Sequence, residues 1–201
     1  MGAVYKNNGN PADPWTKDFE VDSTVKHSGS SSLRVRSAGE GTGAYKMLAV
    51  PTPGASFWVR FYIRSDKDLG ENDHNVLAQA AGMDSANDGP HMEFGEDVGI
   101  SLHYDDSQIR WPEGFGRLMN GSTKPYTLPK DTWHCIELQF DGQGKVHKAF
   151  VEKNELISAS NFPTASVDYK FFKFGYNSLH GTVRKTWYDD VVVAPTRVNC
   201  L

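Results

Sequence analysis

The chain of 201 residues is 38% hydrophobic, 23% charged and 12% aromatic, with a formal net charge of −4. That is enough apolar material for one folded core, and too much for a disordered chain. The absence of a basic excess argues against nucleic acid as the main partner. No run of about 18 apolar residues is present to insert in a membrane.

Strict alternation of apolar with polar residues then dominates the chain from one end to the other. "SSLRVRS" (31–37), "YKMLAV" (45–50), "SFWVRFYIRS" (56–65), "NVLAQAA" (75–81), "HMEFGED" (91–97) and "VGISLHYD" (98–105) read as strands. So do "WHCIELQFD" (133–141), "KVHKAFVEK" (145–153), "FFKFGYNS" (171–178) and "TWYDDVVVA" (186–194). All are rich in β-branched or aromatic residues and are separated by turn-forming Gly, Pro, Asn and Asp. "MDSANDGPH" and "RWPEGFGRLMNGSTKPY" read as long loops near a functional edge. No stretch of about 12 residues carries a helical apolar stripe. About ten strands without helices predict an all-β fold, a two-sheet antiparallel β-sandwich or jelly roll. No repeat or linker divides it, so residues 1–201 are expected to form one domain, acting as a monomer.

The polar halves of these strands carry unusual chemistry. On 56–65, Phe57, Val59, Phe61 and Ile63 point one way and Trp58, Arg60, Tyr62 and Arg64 the other. His91 and Glu93 oppose Met92 and Phe94; Ser101 and His103 oppose Ile100 and Leu102; Lys173 and Asn177 oppose Phe172, Phe174 and Tyr176. Gln79 shares a formal face with Leu77, a less clean alternation. Brought together on one concave sheet, Trp58, Arg60, Tyr62, Arg64, Gln79, His91, Glu93, His103, Lys173 and Asn177 would form a glycan-binding groove. Sugar rings stack on aromatic faces, and hydroxyls or carboxylates meet planar hydrogen-bonding groups. The competing reading is an ordinary solvated sheet face.

The two cysteines, Cys135 and Cys200, lie far apart in sequence. They form either one disulfide or two unpaired thiols. Neither has a His or Cys partner at zinc spacing.

Several segments resemble a known group. "VKHSGSSSLRV" resembles the opening of jelly-roll carbohydrate-binding modules, and "TWYDDVVVA" their closing strand. With "FWVRFYIRSD", "HNVLAQA", "TWHCIELQFDG" and the terminal "TRVNC", the set over residues 22–200 resembles secreted proteins of the concanavalin A-like lectin/glucanase superfamily. Fungal cellulase-co-induced proteins and glucuronan and alginate lyases are similar in type. The resemblance implies a secreted protein whose leader has been removed, since "MGAVYKNNGN" has neither a basic start nor an apolar stretch. It implies that Cys135 and Cys200 pair. It also implies a structural calcium ion, held by Asp22 and Asp190 with backbone oxygens near His27 and Gly29.

The expected function is binding of a plant or microbial cell-wall or matrix glycan, acidic in character because of the arginines. The alternative is a polysaccharide lyase that cleaves a uronate polymer by β-elimination. Such an enzyme needs a cation or amide on the uronate carboxylate, a base for the C5 proton and an acid for the leaving oxygen. Arg64, Gln79, His91, His103 and Tyr104 are its candidate catalytic residues, with Arg60 or Lys173 also able to meet the carboxylate, His74 as a further base and Tyr62 as a further acid. "FFKFGYN" resembles the alginate-lyase motif Y-F-K-A-G-x-Y, but Tyr176 follows Lys173 by three residues rather than four. No E-x-D-x-x-E string supports a glycoside hydrolase. A non-catalytic adhesion or structural sandwich is the remaining class.

Overall fold

The computed structural model describes residues 3–6, 19–36, 44–70, 74–83, 89–97, 99–105, 115–118, 126–163, 166–178 and 183–201. Among them there is no helix. Fourteen strands run in chain order: β1 Ala3–Lys6, β2 Phe19–Asp22, β3 Ser32–Arg36, β4 Ala44–Pro51, β5 Ser56–Ser65, β6 Asn75–Ala81 and β7 His91–Asp97. They continue with β8 Gly99–Asp105, β9 Phe115–Leu118, β10 His134–Asp141, β11 Val146–Val151, β12 Asn154–Ser160, β13 Phe171–Ser178 and β14 Lys185–Ala194. All ten expected strands are present. Four are added, three of them only four residues long, and β9 lies inside a stretch read as loop.

The strands form two seven-stranded antiparallel sheets. The first, sheet A, runs β1-β4-β13-β6-β7-β8-β9; the second, sheet B, runs β12-β11-β10-β5-β14-β3-β2. This is the expected β-sandwich. Alternation explains its core. Phe57, Val59, Phe61 and Ile63 of β5 meet Ala78, Ala80, Met92, Phe94, Leu102, Phe172 and Phe174 of sheet A in one apolar cluster. Phe61, 0% exposed, spans the gap with ring centroids 6.2 Å from Phe94, 6.4 Å from Phe172 and 5.7 Å from Tyr188. Full burial of such a side chain stabilises the fold by about 1.5–3 kcal/mol.

The middle of sheet A is irregular. Pairing of β13 with β6 slips between Phe174 and Asn177, and pairing of β6 with β7 slips between Val76 and Ala78. Tyr188, from the opposite sheet, reaches across the core with its hydroxyl 2.8 Å from Leu77 O and 2.6 Å from Gly175 O. It supplies a donor to backbone carbonyls at the slip. Gly175 sits at φ +148, and a Cβ there would stand 2.2 Å from Lys46 O. The same slip resolves the ambiguous face of β6: Leu77 enters the core while Gln79 faces away from it. It does not turn Tyr176 outward; Tyr176 is buried in the core, and Asn177 takes the position opposite Tyr45.

Candidate functional site

The expected single face does not exist. β5 is the central strand of sheet B, whereas Gln79, His91, Glu93, His103, Lys173 and Asn177 stand on sheet A. The polar side of β5 therefore looks away from them, across the full thickness of the sandwich. Long-range strand order decides this, and alternation within a strand carries no information about it.

On sheet B that side is occupied by the protein itself. Arg60 donates to Asp190 O at 3.2 Å and lies over the Tyr62 ring. Tyr62 stacks on His27 at 3.5 Å, and its hydroxyl meets the backbone of Leu201. Arg64 pairs with Asp131 at 3.0 Å. Trp58 packs near Phe150 and beneath the Arg197 guanidinium. The C-terminal segment is fastened here by the Cys135–Cys200 disulfide, with a Cα–Cα distance of 6.0 Å. Arg197 donates to Glu137 Oε2 at 2.6 Å, and Cys200 N donates to Oε1 at 3.2 Å. Glu137 lies opposite Arg60 and is fully buried. Trp58 and Tyr62 thus hold the C-terminal segment, Arg60 the slipped part of β14, and Arg64 the turn at Asp131.

Sheet A places the others side by side. In register across four strands stand Lys173, Gln79, Glu93 and His103. Their sequence neighbours, Phe172 and Phe174, Ala78 and Ala80, Met92 and Phe94, Leu102 and Tyr104, fill the core, so the row faces outward. Adjacent strands are about 4.8 Å apart, so the four members from Lys173 to His103 span about 14 Å. Although they face away from the core, they are only 1–7% exposed.

Tyr45 joins this row from β4. Its hydroxyl donates to Gln79 Oε1 at 2.9 Å, and Lys173 Nζ lies 5.8 Å from its ring centroid. Tyr45 packs with Met47 and Val76 in a small apolar cluster on the same face. It was not legible in the sequence, because "YKMLAV" is apolar on both faces. Tyr104, expected as an acid, is a correction: as the residue after His103 it must point the opposite way, and it lies in the core.

Three histidines surround Glu93. His91 Nδ1 lies 2.9 Å from Gly89 O and its Nε2 lies 3.2 Å from Glu93 Oε1. Burial alone would push His91 down, but the Glu93 carboxylate, together with Gly89 O and Asp105, more than offsets this and holds it above its ordinary value. Burial likewise opposes ionisation of Glu93; His91, His103 and His74 outweigh it and hold Glu93 below the usual carboxylate value. Ser101 Oγ lies 2.8 Å from His103 Nε2, and the His74 and His103 ring centroids are 5.0 Å apart.

The residues expected to hold calcium cluster elsewhere, beside the 23–30 loop. Asp22 Oδ1 accepts hydrogen bonds from Thr24 N, Thr24 Oγ1 and Val25 N, and Oδ2 from Trp187 Nε1. The Thr24 and Trp187 bonds hold its pKa well below the ordinary value. Asp22 is buried with both oxygens engaged by these donors, which leaves a cation less room there than at Asp190, whose side chain is 23% exposed. Asp190 Oδ1 accepts from Ser28 Oγ at 2.7 Å, and Oδ2 lies 2.9 Å from His27 Nδ1. Asp189 Oδ2 accepts from the backbone N–H groups of His27 and Ser28. Adjacent residues on a regular strand would diverge; Asp190 adopts φ +49 where pairing with β5 slips, and both carboxylates reach the loop.

Among solved structures, the one described as "Cellulose induced protein, Cip1" is similar at 20% identity, TM-score 0.75, with 100% of this chain and 94% of that chain covered. The binding domain of Paraclostridial Mosquitocidal Protein 1 is similar at 14% identity and TM-score 0.60, over 98% of this chain and 45% of that one. A botulinum neurotoxin type C structure is similar at 12% identity and TM-score 0.55, over 99% of this chain and 48% of that one. The chain thus spans under half the length of the two toxin chains, and likeness at these identities shows the fold alone. No curated protein matches the sequence. The family profile described as "Cip1-like, core domain", of polysaccharide-lyase-like type, matches residues 13–196. With nearly all of its length under that profile, the chain belongs to the Cip1-like family of polysaccharide-lyase-like domains.

Proposed function

We propose that the protein binds an acidic polysaccharide on the outward face of sheet A. The observation that carries this reading is the register row Lys173–Gln79–Glu93–His103, flanked by Tyr45, His91 and Asn177. It offers a cation, an amide, imidazoles and a ring to a polymer laid across the strands. A carbohydrate-related role follows from the family, and the disulfide favours an oxidising, extracellular setting. Calorimetry against neutral and uronate polymers tests the reading, with Lys173→Ala and Gln79→Ala expected to weaken uronate binding at least tenfold. Folded wild-type protein that binds no glycan would overturn it and favour the adhesion class.

A lyase is the second reading, favoured by one observation: the Tyr45 hydroxyl, Gln79, Lys173 and His103 share this face. Lys173 and Gln79 would neutralise the uronate carboxylate and so acidify the C5 proton. His103 would take that proton, and Tyr45 would protonate the leaving oxygen. Arg64 and Tyr104 have no part in it. Elimination leaves a conjugated double bond, so ultraviolet absorbance should rise on uronate polymers and fail to rise with Tyr45→Phe.

A calcium ion, if bound, takes Asp190 and Asp189 as its carboxylates and replaces His27 and Ser28 as their partners. A calcium-dependent rise in melting temperature that Asp190→Asn removes would support this. No rise in the wild type would sink it.

A further inference from the structure

We propose that His74, Glu93 and His103 form a binding site for a first-row transition-metal dication of the zinc class, set into the outward face of sheet A. One potential ligand atom from each lies within 4.8 Å of the other two. A tetrahedral ion held at about 2.0–2.1 Å needs its ligand atoms about 3.3 Å apart. Closing the difference takes about 1.5 Å of side-chain movement, within reach of small torsional shifts. Two imidazoles and one carboxylate are a donor set suited to zinc, cobalt, nickel or ferrous ions, and they leave a coordination position for water or a ligand oxygen. Calcium, which takes six to eight oxygens, is a poor match.

The surroundings are built to hold such a set. Glu93 and His103 sit directly opposite each other on the paired strands β7 and β8, so the backbone fixes their separation. Ser101 Oγ lies 2.8 Å from His103 Nε2 and helps to orient the ring. His91 stands 3.2 Å from Glu93 Oε1, outside the triad, as an orienting partner. Gly95, next outward on β7, contributes no side chain to the depression that the three ligands line. Only His74 lies outside a strand, immediately before β6, and it is half-buried. Spread over three separate segments, the triad has no compact spacing by which a sequence motif would reveal it.

The site stands whether or not the protein binds glycan, and its test uses none. Chelator-stripped protein is titrated with zinc by calorimetry and with cobalt by visible absorption. The expected result is one equivalent bound, with ligand-field bands of a low-coordinate cobalt centre, and no competition from calcium. His74→Ala, Glu93→Gln and His103→Ala should each weaken binding at least tenfold, while His134→Ala, a histidine of sheet B, leaves it unchanged. Circular dichroism establishes the fold of each variant. Should the buried substitutions fail to fold, the half-buried His74→Ala decides alone. Absence of stoichiometric binding, or equal binding by wild type and His74→Ala, would overturn the proposal.

Discussion

Cutting the Cys135–Cys200 disulfide should cost a large part of the stability and leave the outward face of sheet A intact. The bridge closes a loop 65 residues long. The chain-entropy relation for a loop of that size gives about 4 kcal/mol at 25 °C. With a urea m-value of about 2–3 kcal/mol/M, the midpoint of a Cys135→Ser/Cys200→Ser variant falls by about 1.5–2 M. The native tail does not let go entirely, because Arg197 still pairs with the buried Glu137 and Leu201 with Tyr62. Urea melts of the variant and wild type, read by tryptophan fluorescence, measure the shift. Glycan titration well below the transition measures the site. A midpoint drop under about 0.5 M at unchanged m would refute the entropic argument. Lost glycan binding in a folded variant would refute placement of the site on sheet A.

Arg64→Ala should change stability by no more than about 1 kcal/mol, since its partner Asp131 is exposed. It should also leave glycan affinity untouched, as calorimetry beside Lys173→Ala would show. Tyr188→Phe removes the hydroxyl that donates to Leu77 O and Gly175 O and should cost about 1–3 kcal/mol in a denaturant melt. Gly175→Ala forces a Cβ onto Lys46 O at a φ of +148 and should cost about 3 kcal/mol or prevent folding, as measured by melting and soluble yield. His147 is buried between Phe162 O and the Tyr169 hydroxyl, and burial holds its pKa down to about 4 from 6.5. The unfolded chain takes up this proton below about pH 6.5 and the folded protein only near 4. Stability therefore falls as pH drops through that window, by about 3 kcal/mol at most from this group. His147→Gln should flatten that part of a pH series of urea midpoints.

Period-two alternation was sufficient to read most strands and most faces. Gln79, Glu93, His103 and Lys173 do share one outward face, as their apolar neighbours required. What alternation could not carry is the sheet each strand enters. β5 pairs with β10 and β14, some 70 and 130 residues further on, and nothing local to "FWVRFYIRSD" records those partners. The edge strands β2 and β12 escaped notice because "FEVD" and "NELISAS" bury few residues. The slips at Leu77 and Asp190 escaped because they replace regular geometry, and with them went the true directions of Leu77 and the Asp189–Asp190 pair. Tyr104 was misplaced against the rule itself, as the direct neighbour of His103.

Each member of the outward row comes from a different strand, and each is bracketed by two residues committed to the core. Exchanging one member alters a single point in a column of side chains and leaves register and interior packing alone. On the proposed readings Glu93 and His103 serve both the polymer row and the ion site, so those two properties are tied together, while Lys173 and Gln79 can vary over one unaltered scaffold.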